Sequence, residues 1–150
     1  MSENSERAVR DVIGRLVDAW NRHDAAAFAD AFALDADFTN VFGMRAKGRA
    51  AIADFHAPVF ETMFKQSRLS VTAVEVRFLR PDIAAVDVHW EMSGARDPKG
   101  REWPLRRGLM NLIVTSEQGC WLIAIMHNMD LPLEEMAKAQ EALQREGKQR

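Results

Sequence analysis

The stretch SVTAVEVRFLRPDIAAVDVHWEM, Ser70 to Met92, alternates twice between apolar and polar residues. In its first half Thr72, Val74, Val76 and Phe78 fall on one side, with Glu75 and Arg77 on the other. In its second half Ala84, Val86, Val88, Trp90 and Met92 oppose Asp87, His89 and Glu91. A period of two is the mark of a half-buried strand. A turn over Arg80, Pro81 and Asp82 pairs Phe78 with Ala84 and Val74 with Val88, so the two apolar faces coincide. The stretch therefore predicts an antiparallel hairpin with one face reserved for a core.

Downstream of the hairpin, the turn-rich GARDPKGR leads to two longer strands, about Trp103 to Thr115 and Cys120 to Asn128, joined by Ser116 to Gly119. Both are apolar on both faces, as expected of strands central in a sheet or at a subunit interface. Upstream, Val9, Val12, Ile13, Leu16, Val17 and Trp20 are spaced as one stripe of a helix. Asp24 is placed to cap a second, short helix through AAAFADAFA, in which Phe28 and Phe32 share a face. An extended piece, ADFTNVFG, comes next. A helical stretch from Gly48 then carries Ile52, Phe55, Val59, Phe60 and Phe64, and Pro58 is expected to divide it. The tail from Leu133 to Arg145 returns to helix, with Leu133, Met136, Gln140 and Leu143 on one side. Its Glu134/Lys138 and Glu141/Arg145 pairs are spaced four apart. Helices first and an antiparallel sheet afterwards give an α+β class, helices on one sheet face and room for a pocket between the layers.

The 150 residues suit a single domain, and 47% hydrophobic content is enough for a core without a metal or disulfide staple. With 20 Lys+Arg against 22 Asp+Glu the net charge is −2, so nucleic acid is not an expected partner. Cys120 is the only cysteine, which rules out an intramolecular disulfide and fits a reducing cytoplasm. The polar N-terminus MSENSERAVRD does not resemble an export signal, and no stretch approaches the ~18 apolar residues of a membrane span. No export and no membrane insertion are expected.

Four strings bring a family into view: WNRHDAAAFADAFALDADFTNVFG, KGRAAIADFHAPVF, PDIAAVDVHW and GCWLIAIMHNMD. Together with the element order they resemble the NTF2-like superfamily, and within it SnoaL-like proteins of the SgcJ/EcaC type, a bacterial group named from antibiotic biosynthesis clusters. The resemblance covers about residues 7–130 and implies a cone fold. Residues 131–150 look like a C-terminal helical extension. The superfamily places isomerases, cyclases, hydratases and noncatalytic modules on one scaffold, so the fold implies no single activity.

Alignment with ketosteroid isomerase-like relatives puts Asn40 about where those enzymes carry a general-base carboxylate. An amide cannot accept that proton, and the chain has no tyrosine to serve as their oxyanion donor. Asn40 is left to contact a ligand or to cap a loop. If Thr115 pairs with Cys120, Arg107 lies opposite Asn128 and Asn111 opposite Ala124, a polar trio on an otherwise apolar sheet face. Arg107 is then the first candidate for holding an anionic or carbonyl oxygen. A single bulge would flip the assignment and bring His127 to that face instead. His56, in the FHAP string, either caps a helix or faces the cavity. Asp37 is its only topological partner, and these two residues are the candidate acid/base pair. His89 belongs to the polar strand face and His23 to an exposed turn. Trp20, Phe38, Trp90 and Met110 would line a hydrophobic pocket, although residues at such spacing are more often plain core. No histidine pair has ligand spacing and no glycine-rich dinucleotide motif occurs, so neither metal nor cofactor is expected.

Three readings follow. The first is a homodimeric module binding a small, mainly apolar molecule through Arg107, Asn111, Asn128, Asn40, His127 and Trp90, with His56 as a further polar contact. The second is an isomerase, cyclase or hydratase of a polyketide-like substrate, with His56 or Asp37 as acid/base. The third is a noncatalytic dimerisation or interaction domain. Asn40 and the missing tyrosine favour the first or third over the second.

Overall fold

The elements follow one another as α1 (Glu3–Asn21), α2 (Ala25–Asp30), β1 (Phe32–Thr39), β2 (Arg45–Lys47), α3 (Arg49–Glu61), β3 (Arg68–Arg80), β4 (Ile83–Ser93), β5 (Arg106–Glu117), β6 (Cys120–Asp130) and α4 (Glu135–Lys148). This computed structural model describes residues 3–131 and 135–148, with the backbone alone at 135 and 136. The strands form one curved, unclosed sheet in the order β2-β1-β6-β5-β4-β3, and only the β1/β6 pair is parallel. Helices α1 to α3 pack on one face of it, which is the α+β arrangement expected.

The core forms between the layers because the two periodicities meet there. Val9, Val12, Ile13, Leu16 and Trp20 of α1 are buried against Ala84, Val86, Val88, Trp90 and Met92 of β4 and their neighbours in one cluster. Burial of each large apolar side chain stabilises the fold by about 1.5–3 kcal/mol. The hairpin register is as read from the sequence, Phe78 opposite Ala84 and Val74 opposite Val88. The turn itself is tighter, since Arg80 pairs with Ile83 and leaves Pro81 and Asp82 at the tip.

Other boundaries move for physical reasons. The second helix stops at Asp30, and Phe32 already belongs to β1. Pairing of Phe32 with Ile123 of β6, and the Ile123 amide donating to the Ala31 carbonyl at 2.9 Å, override the local alanine-rich helix preference. Pro58 does not divide α3, which runs unbroken to Glu61. Proline removes only the bond to the Asp54 carbonyl; both residues are exposed, so water can satisfy that oxygen. β5 begins at Arg106 rather than Trp103, whose amide donates to the Ala95 carbonyl at 2.8 Å.

The last hairpin differs most. Glu117 pairs with Cys120 across a two-residue turn, Gln118 and Gly119, both at positive φ. Ile113 pairs with Ile125 but Val114 with Ile123, so Ala124 is an extra residue in β6. As a result Asn111 faces His127, and Met110 faces Asn128. In the tail, α4 forms and its Leu143 is 65% exposed. Leu133, Glu134 and the Met136 side chain, which the tail reading also used, lie outside the described residues.

Candidate functional site

The string Trp20 to His23 builds the closed end of a cavity. The Trp20 indole Nε1 donates to Ser67 Oγ at 3.0 Å, and that hydroxyl donates to the Phe64 carbonyl at 2.7 Å. Asn21 brackets the Leu69 backbone, donating to its carbonyl at 2.9 Å and accepting from its amide at 2.7 Å. His23 is not in an exposed turn: it is half-buried, and Nε2 donates to the Ser67 carbonyl at 3.0 Å. A helix end rich in polar side chains thus clamps the start of β3.

His56 stands in α3 beside that end, 2% exposed. Its ring packs at 4.2 Å from Phe28 and 4.8 Å from Phe38, measured between centroids, with Phe55, Phe60 and Trp20 within 6.1 Å. Nδ1 lies 2.7 Å from the Ile52 carbonyl, one helical turn back. An oxygen that can only accept places the proton on Nδ1 and the lone pair on Nε2. Burial lowers the pKa to about 4, with the Ile52 bond opposing it, so the ring is neutral at pH 7.

Asp37 is not its partner. Alternation along β1 turns Phe38 inward and Asp37 outward, opposite Lys47, whose ammonium lies 3.4 Å from the carboxylate. The expected acid/base pair is therefore separated by the sheet.

The sheet wall of the cavity is built around Trp90. Its Nε1 donates to Asn128 Oδ1 at 2.8 Å, which orients the amide and leaves Nδ2 as a donor. Gly108 makes room for the indole, because a Cβ there would come within 2.0 Å of Trp90 Cζ2 and 2.6 Å of the Met129 carbonyl. Arg106 completes the wall. Its Nη2 and Nε bind Asp130 Oδ1 at 2.8 and 3.2 Å, and its guanidinium lies 5.5 and 5.6 Å from the Trp90 and Trp103 rings.

The polar trio expected on one sheet face is thus redistributed by the Ala124 bulge. Arg107, Asn111 and His127 lie on the face turned away from the helices, where Asn111 Nδ2 donates to Asp87 Oδ1 at 2.6 Å. Asn128 alone turns inward. Arg106, its neighbour in sequence, occupies the place assigned to Arg107, and Met92 opposite it in β4 is the one signal that could have shown this.

Asn40 shapes the mouth. Its Oδ1 accepts from the Phe42 and Met44 backbone amides at 3.0 and 2.9 Å, while its backbone N–H donates to the Met44 carbonyl at 2.9 Å. The side chain caps the loop between β1 and β2 and lies in the cavity lining. Phe42 and Met44, 67% and 55% exposed, stand at the same rim.

These parts enclose a cavity of about 310 Å³. Trp20, Phe38, Trp90 and Met110 line it, together with Phe28, Phe55, Phe64 and Met126; its polar members are Asn40, His56, Arg106 and Asn128. It can hold an apolar body and offer one acceptor and several donors. Among the described residues no cluster of His, Cys, Asp and Glu could hold a metal ion.

No curated protein matches the chain. Among solved structures, an uncharacterized protein with a cystatin-like fold from Caulobacter vibrioides aligns with a TM-score of 0.83 at 26% identity, covering 93% of this chain and 97% of its own. A domain of unknown function with the same fold from Nostoc punctiforme gives 0.80 at 28% identity, covering 99% and 95%. An NTF2-like protein with a cystatin-like fold from Novosphingobium aromaticivorans gives 0.74 at 20% identity, covering 89% and 86%. The fold is therefore the NTF2-like one. The model of the SnoaL-like domain matches residues 13–117, a span holding α3 and most of the cavity wall, and the chain belongs to that family.

Proposed function

We propose that this protein binds a small, mainly apolar molecule in the cavity between α3 and the sheet. The observation that supports this best is the contrast inside the cavity: walls of aromatic rings and methionines, against which Arg106, Asn128 Nδ2 and His56 Nε2 stand as a few polar groups. Its volume of about 310 Å³ is at the small end of the range for small-molecule sites, about 300–1,000 Å³. Titration with naphthalene-sized probes tests it. Met110→Trp, which fills the cavity from the wall, is expected to abolish binding that wild type shows at micromolar to millimolar concentration; equal binding by a folded Met110→Trp variant would place the site elsewhere.

An isomerase, cyclase or hydratase acting on a polyketide-like substrate is the second reading, as is a place in the SgcJ/EcaC-type branch. His56 is the residue for such chemistry, but Ile52 rather than a carboxylate holds its Nδ1 and burial weakens it as a base. We also propose a homodimer through the outer sheet face, where Ile125 and Met129 are 39% and 42% exposed beside Leu109 and Ile113. Exposed Cys120, free of any disulfide, fits a reducing cytoplasm. No described helix is long and apolar enough to cross a membrane.

A further inference from the structure

The buried histidine sets a condition on what the cavity accepts. A carbonyl oxygen has no proton to give, so the contact between His56 and Ile52 fixes hydrogen on Nδ1 and leaves Nε2 a bare acceptor. The ring is 2% exposed, yet among the described residues no fully enclosed side-chain nitrogen or oxygen lacks a partner. Nε2 has no hydrogen bond with a described residue. The small surface it keeps therefore opens into the cavity that the ring lines.

What surrounds it sharpens the condition. Phe28, Phe38, Phe55, Phe60 and Trp20 pack around the imidazole and offer it ring carbon, and the Trp20 N–H is taken by Ser67. A water on Nε2 would have aromatic rings for neighbours, poor in the two to four partners an ordered water uses. The other polar groups of the wall, Asn128 Nδ2 and Arg106, are donors and call for acceptors on the ligand. A purely apolar molecule seated against Nε2 would strip that nitrogen of water and return nothing.

We infer that His56 Nε2 is a specificity-determining acceptor, so that the cavity selects apolar molecules bearing a hydroxyl over the same molecules without one. The inference rests on the cavity being a ligand site. Neutrality of the ring at pH 7, imposed by its burial, keeps the lone pair available.

The test uses three probes on the wild-type protein at pH 7: naphthalene, 2-methoxynaphthalene and 2-naphthol, followed by calorimetry. The methoxy compound keeps the oxygen as an acceptor for Asn128 or Arg106 and lacks only the O–H. The expected result is that 2-naphthol binds at least about tenfold tighter than both others. In long-range ¹H–¹⁵N spectra, His56 Nε2 should resonate as an unprotonated nitrogen and shift on adding 2-naphthol but not 2-methoxynaphthalene. A folded His56→Leu variant should bind all three alike; if it does not fold, the wild-type series and the spectra decide. Equal binding of the three by wild type, or a proton found on Nε2, overturns the inference and leaves the cavity as a ligand site. Binding of none overturns both.

Discussion

The two faces of strands β5 and β6 carry nearly the same residue types and do different work. Inward lie Arg106, Gly108, Met110, Met126 and Asn128, and every polar group among them is tied to a tryptophan or a carboxylate of the wall. Outward lie Arg107, Asn111 and His127 among Leu109, Ile113, Ile125 and Met129. One arginine lies against two rings while the side chain of its neighbour makes no hydrogen bond or ion pair with described residues. Composition does not distinguish the faces. Parity does, and parity in β6 depends on one extra residue at Ala124.

If that division is right, the largest effects of perturbation belong on the cavity side. The greatest is expected from His56 as the pH falls. Its pKa is lowered from 6.5 to about 4 in the fold, so the unfolded chain takes up a proton first. Stability is complete above pH 6.5, falls as pH drops towards 4, and loses about 3 kcal/mol over that window. Urea denaturation at pH 7 and pH 4 measures it. A His56→Leu variant should lack this component, and an unchanged pH slope in that variant would sink the assignment.

A second, smaller effect is expected at Gly108, where only the absence of a side chain lets Trp90 lie flat against β5. Gly108→Ala should cost about 1–3 kcal/mol, the usual range for overpacking, and release the bond from Trp90 to Asn128. A shift in tryptophan fluorescence together with a lower melting temperature would show it. Wild-type values for both would mean that the wall yields more easily than its geometry implies. Gly14, on the exposed side of α1 with open space around it, serves as a control; alanine there should be neutral or stabilising.

The same contrast explains what could be read from the sequence. The β3–β4 register was legible because polar and apolar residues alternate over Val74–Phe78 and Val86–Met92 on either side of a proline-marked turn. β5 and β6 are apolar on both faces, so the bulge in β6 leaves no mark; the inward place was given to Arg107 instead of Arg106 because β5 was not set against β4, where Met92 stands opposite Arg106. His56 and Asn40 were singled out from helix and loop context with the cavity as one of two places for each; both line it, and Asn40 also caps its loop. Asp37 was misplaced because nothing in DADFT fixes which of two adjacent residues turns to the core until Lys47 is seen opposite it. Gly108 and Ser67 gave no signal, since their importance lies in what approaches them from distant segments.

The smallest effect is also the closest test of the parity, because it compares neighbouring residues. Arg106→Met should lose its contacts with Trp90 and Trp103 and the bond to Asp130, whose partial exposure weakens the pair. About 1–2 kcal/mol is expected in total. Arg107→Met removes an exposed side chain without such contacts and should change stability by no more than about 0.5 kcal/mol. Denaturation of the two variants side by side, at two protein concentrations, separates three outcomes. Loss confined to Arg106→Met supports the register that sets Arg106 opposite Met92. Equal loss in both, independent of concentration, would mean that β5 pairs with β4 in another register and that the inward face has been misassigned. Loss in Arg107→Met that depends on concentration would instead place Arg107 in the contact between two copies of the chain, where dissociation is linked to unfolding.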